Sequence, residues 1–179
     1  MRVCLITGEY PPMQGGVGDY THELAYAMAR QGANVMVLTS RQAGVRRDAE
    51  DVLPGSLTVL PMIDHWDWRC WRVVRRVARE FHPDILHIQY QSAAYGLHPA
   101  INLLPWYVRL HGASPKTAVT FHDLRVPYVF PKAGPLRWWS VVELARRSDV
   151  TIVTNVEDHH VLSHFPLRER VRVIPIGSN

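Results

Sequence analysis

The sequence predicts an α/β domain with a Rossmann-like, doubly wound and mostly parallel sheet. Seven short runs of β-branched and aliphatic residues alternate with amphipathic segments, which is the order of a parallel sheet whose strands are joined by helices. Several runs, such as 35–38, are continuously apolar, as strands buried on both faces must be. At 179 residues the chain has the size of one domain, and we expect 1–179 to form it.

The elements are expected in a regular order along the chain. The first strand follows the N-terminus directly, and a helix from about 17 to 30 leads to the second. Gly32 fits the end of that helix, and Pro83 and Pro115 are expected to end helices just before the fourth and fifth strands. The predicted strands are 2–7, 34–39, 57–60, 84–88, 117–121, 150–154 and 171–174.

Composition places the chain among ordinary globular proteins. Hydrophobic residues make up 47% and charged residues 20%, and no apolar run approaches the roughly 18 residues that span a membrane. The N-terminal apolar stretch is too short for a secretion signal. Cys4 and Cys70 lie in different predicted elements, with no second thiol near either, so we expect no disulfide. These features predict a cytoplasmic protein.

The formal net charge of +4 is carried by arginine, since only Lys116 and Lys132 are lysines. Guanidinium groups favour planar anions such as phosphate and carboxylate. The sequence contains no zinc-finger, RNP-type or other motif that reads bases, and a basic pI alone indicates only non-specific attraction. We therefore expect no nucleic-acid partner.

A helix predicted from about 69 to 81 has one apolar and one basic face. The apolar side chains are Trp71, Val74, Ala78 and Phe81, and arginines occupy the opposite face. The plain interpretation is a solvated charged face, and the alternative is that this face, together with basic and aromatic residues near it, makes peripheral contact with anionic lipid. The residues concerned are Arg69, Arg72, Arg76, Arg79, Arg46, Arg47, Trp66 and Trp68.

A glycine-rich loop opens the first predicted helix. Gly15, Gly16 and Gly18 leave backbone N–H groups uncrowded at a helix N-terminus, and this arrangement binds phosphates. A tight turn with no ligand is the alternative. The spacing from Gly8 is too long for a dinucleotide fingerprint, and the second strand ends at Arg41 rather than at a carboxylate. A nicotinamide cofactor is therefore not expected.

Polar side chains also stand at the ends of two later strands. His87 lies near the end of the fourth predicted strand, Gln89 directly follows that strand, and His122 and Asp123 follow the fifth, so all four are expected at the ligand-binding edge of the sheet. Each could instead be a satisfied loop or strand residue, and Asp123 could cap the next segment.

A cluster near the end of the chain has the spacing of metal ligands. Only His160 and His164 lie one helical turn apart, and a full site needs a third ligand and usually a second shell, so a solvated helix face is favoured and no metal is expected. Its members are Asp158, His159, His160 and His164.

Four motifs in the same order resemble the retaining GT-B glycosyltransferases of family 4. They are GEYPP at 8–12 followed by GGVG at 15–18, PDILHIQ at 83–89, TFHD at 120–123 and VRVIPIG at 171–177. The resemblance implies an enzyme that moves a sugar from a nucleotide-diphosphate sugar to an acceptor hydroxyl with retention. The acceptor would be a sugar or a lipid-linked molecule. This chain would be the N-terminal, acceptor-side half, inactive alone, with its C-terminal donor-binding domain outside this sequence.

The same resemblance assigns roles to individual residues. It implies that Gly16, with Gly15 and Gly18, lies near the donor phosphates and that His122 lines the reaction centre as the catalytic residue. His87, Gln89 and Asp123 would contact substrate, although Gln89 stands where the family pattern has histidine. No cofactor beyond the donor substrate is implied. Two alternatives remain at this point: a non-catalytic sugar- or nucleotide-binding module of the same fold, and a GT-B-type nucleotide-sugar epimerase.

Overall fold

Strands and helices alternate along nearly the whole chain in a computed structural model, which describes residues 1–44, 54–111, 115–124, 134–167 and 171–177. Single 3-10 turns at Arg41–Ala43 and Ser92–Tyr95 follow two of the strands. The elements are β1 (Arg2–Thr7), α1 (Gly16–Arg30), β2 (Asn34–Ser40), β3 (Ser56–Ile63), α2 (Cys70–Phe81), β4 (Ile85–Tyr90), α3 (Leu104–Leu110), β5 (Lys116–Phe121), α4 (Gly134–Arg147), β6 (Val150–Val153), α5 (Val156–Ser163) and β7 (Val171–Val173).

All seven strands belong to one parallel sheet in the order β3-β2-β1-β4-β5-β6-β7. Strand β1 has β2 on one side and β4 on the other, so the chain builds the sheet outward first in one direction and then in the opposite one. This reversal is the hallmark of a doubly wound sheet. The predicted fold class is confirmed.

Two hydrophobic clusters cover the two faces of the sheet. Helix α1 packs on one face, against residues of β1 and β2 such as Leu5 and Val37. Residues of the other four helices form the larger cluster on the opposite face, around Ile6 and Leu86. Because neighbouring residues of a strand point to opposite faces, Leu5 and Ile6 belong to different clusters. The core is therefore built from the continuously apolar strands.

Helix α1 lies close to the sheet because the side chains that it buries are small. These are Val17, Thr21, Ala25 and Ala29, four residues apart along one side. The sequence pattern places Leu24, Ala27 and Met28 toward the core, but Leu24 and Met28 are only half-buried and Ala27 is exposed. The predicted inward stripe was therefore wrong for Ala27, since small residues rather than long apolar ones set this contact. The helix ends as predicted, with Gly32 at φ 86°.

Strand β3 extends further than its sequence predicts, to Ile63. It is an edge strand that pairs only with β2, and most of its side chains are half-buried. An edge strand tolerates Pro61, which lacks the N–H that a central strand must donate. The predicted strand stops at residue 60, directly before Pro61, whereas in the fold the strand continues past this proline.

Helix α2 has the two faces that its periodicity predicts. Val74 and Ala78 are buried, and Trp71 and Phe81 pack against the core. The arginines at 69, 72, 76 and 79 are exposed. Arg46 and Arg47 lie outside the described residues. Within the described residues, no helix is long and apolar enough to cross a membrane.

Gly8 allows two segments to approach each other at the end of β1. A Cβ at this position would overlap the backbone carbonyl of Ala94, in the turn that follows β4. The Gly8 carbonyl also accepts a hydrogen bond from the Ser40 hydroxyl at 2.6 Å. By contrast, a Cβ on Gly16 would meet no atom within 4 Å.

We expect Gly8→Ala to lower the free energy of unfolding by about 1–3 kcal/mol, because the added methyl group must push the Ala94 backbone away. Gly16→Ala is the matched control and should leave stability unchanged or slightly higher, since it adds a better helix former in open space. Urea denaturation of both variants measures the difference. Equal stability of the two variants would show that this close approach is not tight.

Candidate functional site

Three glycines at the junction of the β1–α1 loop and helix α1 have different surroundings. Gly15 precedes α1 and leaves room for the Glu9 carboxylate, which a Cβ there would overlap. Gly18 lies against the backbone of Tyr10, which a Cβ would approach to 3.2 Å. Gly16 is the first residue of α1 and faces open space. Gly16 is exposed, whereas Val17 and Gly18 are buried, and an N–H at the start of an α-helix has no partner within the helix.

Four polar side chains form a strip on the α1 face of the sheet. His87 and Gln89 are two residues apart in β4, as Thr120 and His122 are at the end of β5, so all four point to the same face. The parallel register pairs Gln89 with Thr120. The sequence prediction that Gln89 and His122 meet at the carboxyl edge matches this placement.

Gln89 holds the His122 ring through a direct hydrogen bond. The His122 Nε2 atom lies 2.9 Å from Gln89 Oε1, and an amide oxygen can only accept, so Nε2 carries the proton. This tautomer leaves Nδ1 as a hydrogen-bond acceptor. Gln89 is fully buried, and its amide nitrogen has no hydrogen-bond partner among the described residues.

The His122 ring is partly buried and neutral at physiological pH. Burial lowers the pKa of His122 to about 4, because the charged imidazolium loses its hydration. The edge of its ring packs against Tyr20 of α1, with 4.7 Å between the ring centroids. Tyr20 lies four residues after Gly16, on the same side of α1. His122 is therefore a neighbour of the glycine-loop end of that helix.

His87 is placed deeper in the sheet than His122. Its side chain is 6% exposed, and its Nε2 atom lies 2.8 Å from the Thr120 hydroxyl. Burial lowers the pKa of His87 to about 4, with a smaller contribution from nearby His122. The structure brings His87 next to the candidate site but surrounds it with protein.

Asp123 follows His122 and is half-buried. Its charge is close enough to Asp158 to raise the pKa of that carboxyl group, although burial is the larger cause. Asn155 caps α5, since its Oδ1 accepts a hydrogen bond from the Asp158 backbone N–H at 2.7 Å. The Nδ1 atom of His164 lies 2.8 Å from the His160 carbonyl. Among the described residues, no group of three or more His, Cys, Asp or Glu has the geometry of a metal site.

A cavity of about 500 Å³ opens beyond the carboxyl ends of β1 to β4. Its walls come from the loop after β1, the turns after β2 and β4, and the segment between β3 and α2. The cavity was not predicted from the sequence: Trp66 was grouped with the candidate lipid-contacting residues and Glu9 was given no role, whereas both line the cavity. The only local signal was that Glu9 lies between a strand end and a glycine loop.

We expect Gln89→Glu to raise the pKa of His122 by roughly one to three units, because a carboxylate beside Nε2 stabilises the imidazolium. The ring would then stay doubly protonated to higher pH, and over that pH range Nδ1 could not accept a hydrogen bond from a hydroxyl. Ring ¹⁵N shifts in a pH titration measure both the pKa and the tautomer.

Gln31→Glu is the matched control, since Gln31 is exposed at the far end of α1. It should leave the His122 titration where it is. An unshifted His122 in Gln89→Glu, or a wild-type ring protonated at Nδ1, would contradict the hydrogen bond described above.

Comparison with solved structures supports the architecture. Sucrose-phosphate synthase of Thermosynechococcus elongatus superposes with a TM-score of 0.65 at 16% identity, over 100% of this chain and 91% of that one. Anabaena HepE, solved with UDP and glucose, gives 0.61 at 15% identity, over 100% and 45%. UDP-GlcNAc 2-epimerase of Neisseria meningitidis, bound to UDP-GlcNAc, gives 0.58 at 11% identity, over 97% and 45%. These likenesses show the fold, and this chain spans less than half of the last two proteins.

No curated protein matches the sequence. The family model described as Glycosyltransferase Family 4 matches residues 14–179, which include the glycine loop, Gln89 and His122. Since the match takes in most of the chain, the chain belongs to Glycosyltransferase Family 4.

Proposed function

We propose that this domain is the acceptor-side half of a retaining glycosyltransferase that uses a nucleotide-diphosphate sugar as donor. No further cofactor and no metal are part of this proposal. HepE and the epimerase were solved with UDP or a UDP-sugar, which supports a nucleotide sugar as ligand. Because this chain spans 45% of each of those proteins, we propose that a second domain completes the donor site.

One juxtaposition carries the proposal: the open N-terminus of α1 lies beside a neutral histidine. Gly16 leaves the first helical turn reachable, and Tyr20, one turn later, touches His122. Charge develops on the diphosphate as its bond to the sugar breaks. Free N–H groups and the positive end of the helix dipole stabilise such a charge without reorganising.

His122 is the residue to which we assign the reaction centre. Its Nδ1 accepts a hydrogen bond from a sugar or acceptor hydroxyl. Gln89 fixes the orientation of the ring through its hydrogen bond to Nε2 on the opposite side of the ring. Gln89 thus acts through His122 rather than by touching substrate. His87 supports the same strip through Thr120, and Asp123 stays a predicted substrate contact.

An epimerase is the competing activity, since UDP-GlcNAc 2-epimerases share the fold. Family membership favours transfer. A transferase yields a new glycoside and a free nucleotide, whereas a 2-epimerase acts on the sugar itself. Product analysis by NMR separates the two activities and also shows whether the anomeric configuration is retained.

We expect His122→Ala to lower kcat/KM of the full-length enzyme by roughly a hundred-fold or more, since it removes the group that orients the hydroxyl. Gly16→Leu should cost at least about ten-fold, because its side chain projects into the space reserved for the phosphates. Release of nucleoside diphosphate from a panel of nucleotide sugars measures both effects.

Ala27→Leu is the matched control for Gly16→Leu, since it adds the same side chain to an exposed position of α1. It should retain full turnover, and thermal melting should show all three variants folded. Normal turnover in both His122→Ala and Gly16→Leu would overturn the assignment of the site.

We also propose that the outer layer around α2 contacts anionic lipid at the inner face of a membrane. Four exposed arginines lie at its start and along its outer face, at 69, 72, 76 and 79. Trp68 is 46% exposed at its start. Helix α3 packs beside it through stacked Trp71 and Tyr107 rings and exposes Trp106 and Leu110. Exposed aromatic and aliphatic side chains beside arginines suit a headgroup region.

Flotation with phosphatidylglycerol vesicles at low salt should recover the protein, and neutral vesicles should not. The single variants Arg72→Glu and Arg76→Glu should each lower the partition coefficient onto these vesicles about five-fold or more, because one basic side chain near an anionic surface contributes about that factor. Arg30→Glu, on α1 across the sheet, is the control. Failure to float at low salt, or flotation that ignores lipid charge, would remove the membrane proposal.

A further inference from the structure

We propose that the cavity of about 500 Å³ seats the acceptor, and that the part it takes is an uncharged polyhydroxylated unit such as a sugar ring. This inference rests on the proposed function and adds the acceptor's chemistry to it. It depends on three features of the walls: a rigid aromatic surface, free polar groups, and cations that are already paired.

The aromatic wall is fixed in place by hydrogen bonds. The Trp66 indole N–H donates to the Ser40 hydroxyl at 2.8 Å, and that hydroxyl donates to the Gly8 carbonyl. The Tyr95 hydroxyl lies within 3.0 Å of the Ile6 and Gln89 carbonyls. The two rings meet edge to face with centroids 4.8 Å apart. Tyr95 is 1% exposed and therefore supports the half-buried Trp66 ring, and the C–H faces of a sugar ring pack on such a ring. The cavity has the size of a small-molecule site.

Polar groups beside this wall are free to bind hydroxyls. The Glu9 carboxylate lines the cavity and accepts no hydrogen bond from any residue within the described ranges. Partial burial, and then the nearby charge of Asp19, raise the pKa of Glu9 and make its oxygens stronger acceptors. His98 also lines the cavity, and its Nδ1 accepts from the Ala100 N–H, which leaves Nε2 to donate. Both a donor and an acceptor thus face the ligand space.

The charges around the cavity disfavour a phosphate. Among the described residues, its lining contains Glu9, Asp64 and Asp67 but neither lysine nor arginine. Two arginines flank it, and each already has a carboxylate partner: Arg41 with Asp64 at 2.6 Å, and Arg69 with Asp67 at 2.6 Å. A phosphate placed here would meet the Glu9 charge, and neither of the two flanking arginines in the described part of the chain is free to offset it. A neutral sugar ring pays no such cost.

Glu9 also joins the cavity to the glycine loop. Its carboxylate lies against Gly15, directly before the open end of α1 at Gly16. A hydroxyl bound by Glu9 is therefore next to the place where we seat the donor phosphates. This places the acceptor and the donor on adjoining sides of one loop.

The test is an NMR titration of the 179-residue chain with methyl glycosides of glucose, mannose and galactose, each against the matching hexose phosphate. Trp66→Phe assigns the Trp66 indole signal among the tryptophans. At least one glycoside should shift this signal saturably, and its phosphate should bind at least roughly ten-fold more weakly. Glu9→Gln should weaken glycoside binding roughly ten-fold, the worth of a hydrogen bond to a charged group.

Two further variants sharpen the result. Glu23→Gln makes the same change on the exposed side of α1 and should leave binding unaltered. Asp64→Asn removes the carboxylate partner of Arg41 and should therefore reduce the difference in affinity between the glycoside and its phosphate. Any one of three results would overturn the inference. The phosphates bind as tightly as the glycosides, Glu9→Gln leaves glycoside affinity unchanged, or no glycoside shifts the Trp66 signal.

The outcome is separable from that of the proposed function, because the titration needs no donor. If glycosides bind here but the full-length enzyme transfers no sugar, the proposed function fails and the cavity assignment stands. If the enzyme transfers sugar while the Trp66 signal stays unmoved, the cavity assignment fails alone.

Discussion

The parallel pairing of β1 with a neighbour on each side is the constraint on which the rest of the structure depends. The connection from β1 to β2 runs through α1, and the connection from β3 back to β4 runs through α2 in the opposite direction. Because such crossovers are right-handed, the two helices cover opposite faces of the sheet. The loops then diverge beyond the carboxyl ends of β1 and β4, and the crevice between them holds the glycine loop, the Gln89–His122 pair and the cavity.

The sequence predicts this frame because each strand carries its own local signal. All seven predicted strands exist, and the errors lie at their ends, as in β3, where the edge position tolerates Pro61. The helix face was harder, since α1 turns its small residues rather than its longest apolar ones toward the sheet. Pairing order and register follow from contacts between distant segments, which no single stretch of sequence displays.

In the candidate site, too, the features with a local sequence signal were predictable and those built from distant segments were not. The strand ends predict that Gln89 and His122 lie at one edge of the sheet, whereas their contact depends on the pairing of β4 with β5, which the sequence does not display. Their hydrogen bond gives a physical reason for glutamine in this chain where the family pattern has histidine: an amide oxygen orients the His122 ring and does not itself titrate. The cavity was not predictable, because its walls come from four segments far apart in the sequence.

The glycine loop separates two regions of opposite electrostatic preference. On the Gly16 side, the helix dipole and free N–H groups attract negative charge. On the Gly15 side, the Glu9 carboxylate repels negative charge, and we have proposed that it accepts hydrogen bonds from hydroxyl groups instead. A phosphate is therefore stabilised on one side of the loop and destabilised on the other. On the proposed function, this gradient assigns the diphosphate donor and the neutral acceptor to their respective sides before any contact with the sugar itself discriminates between them.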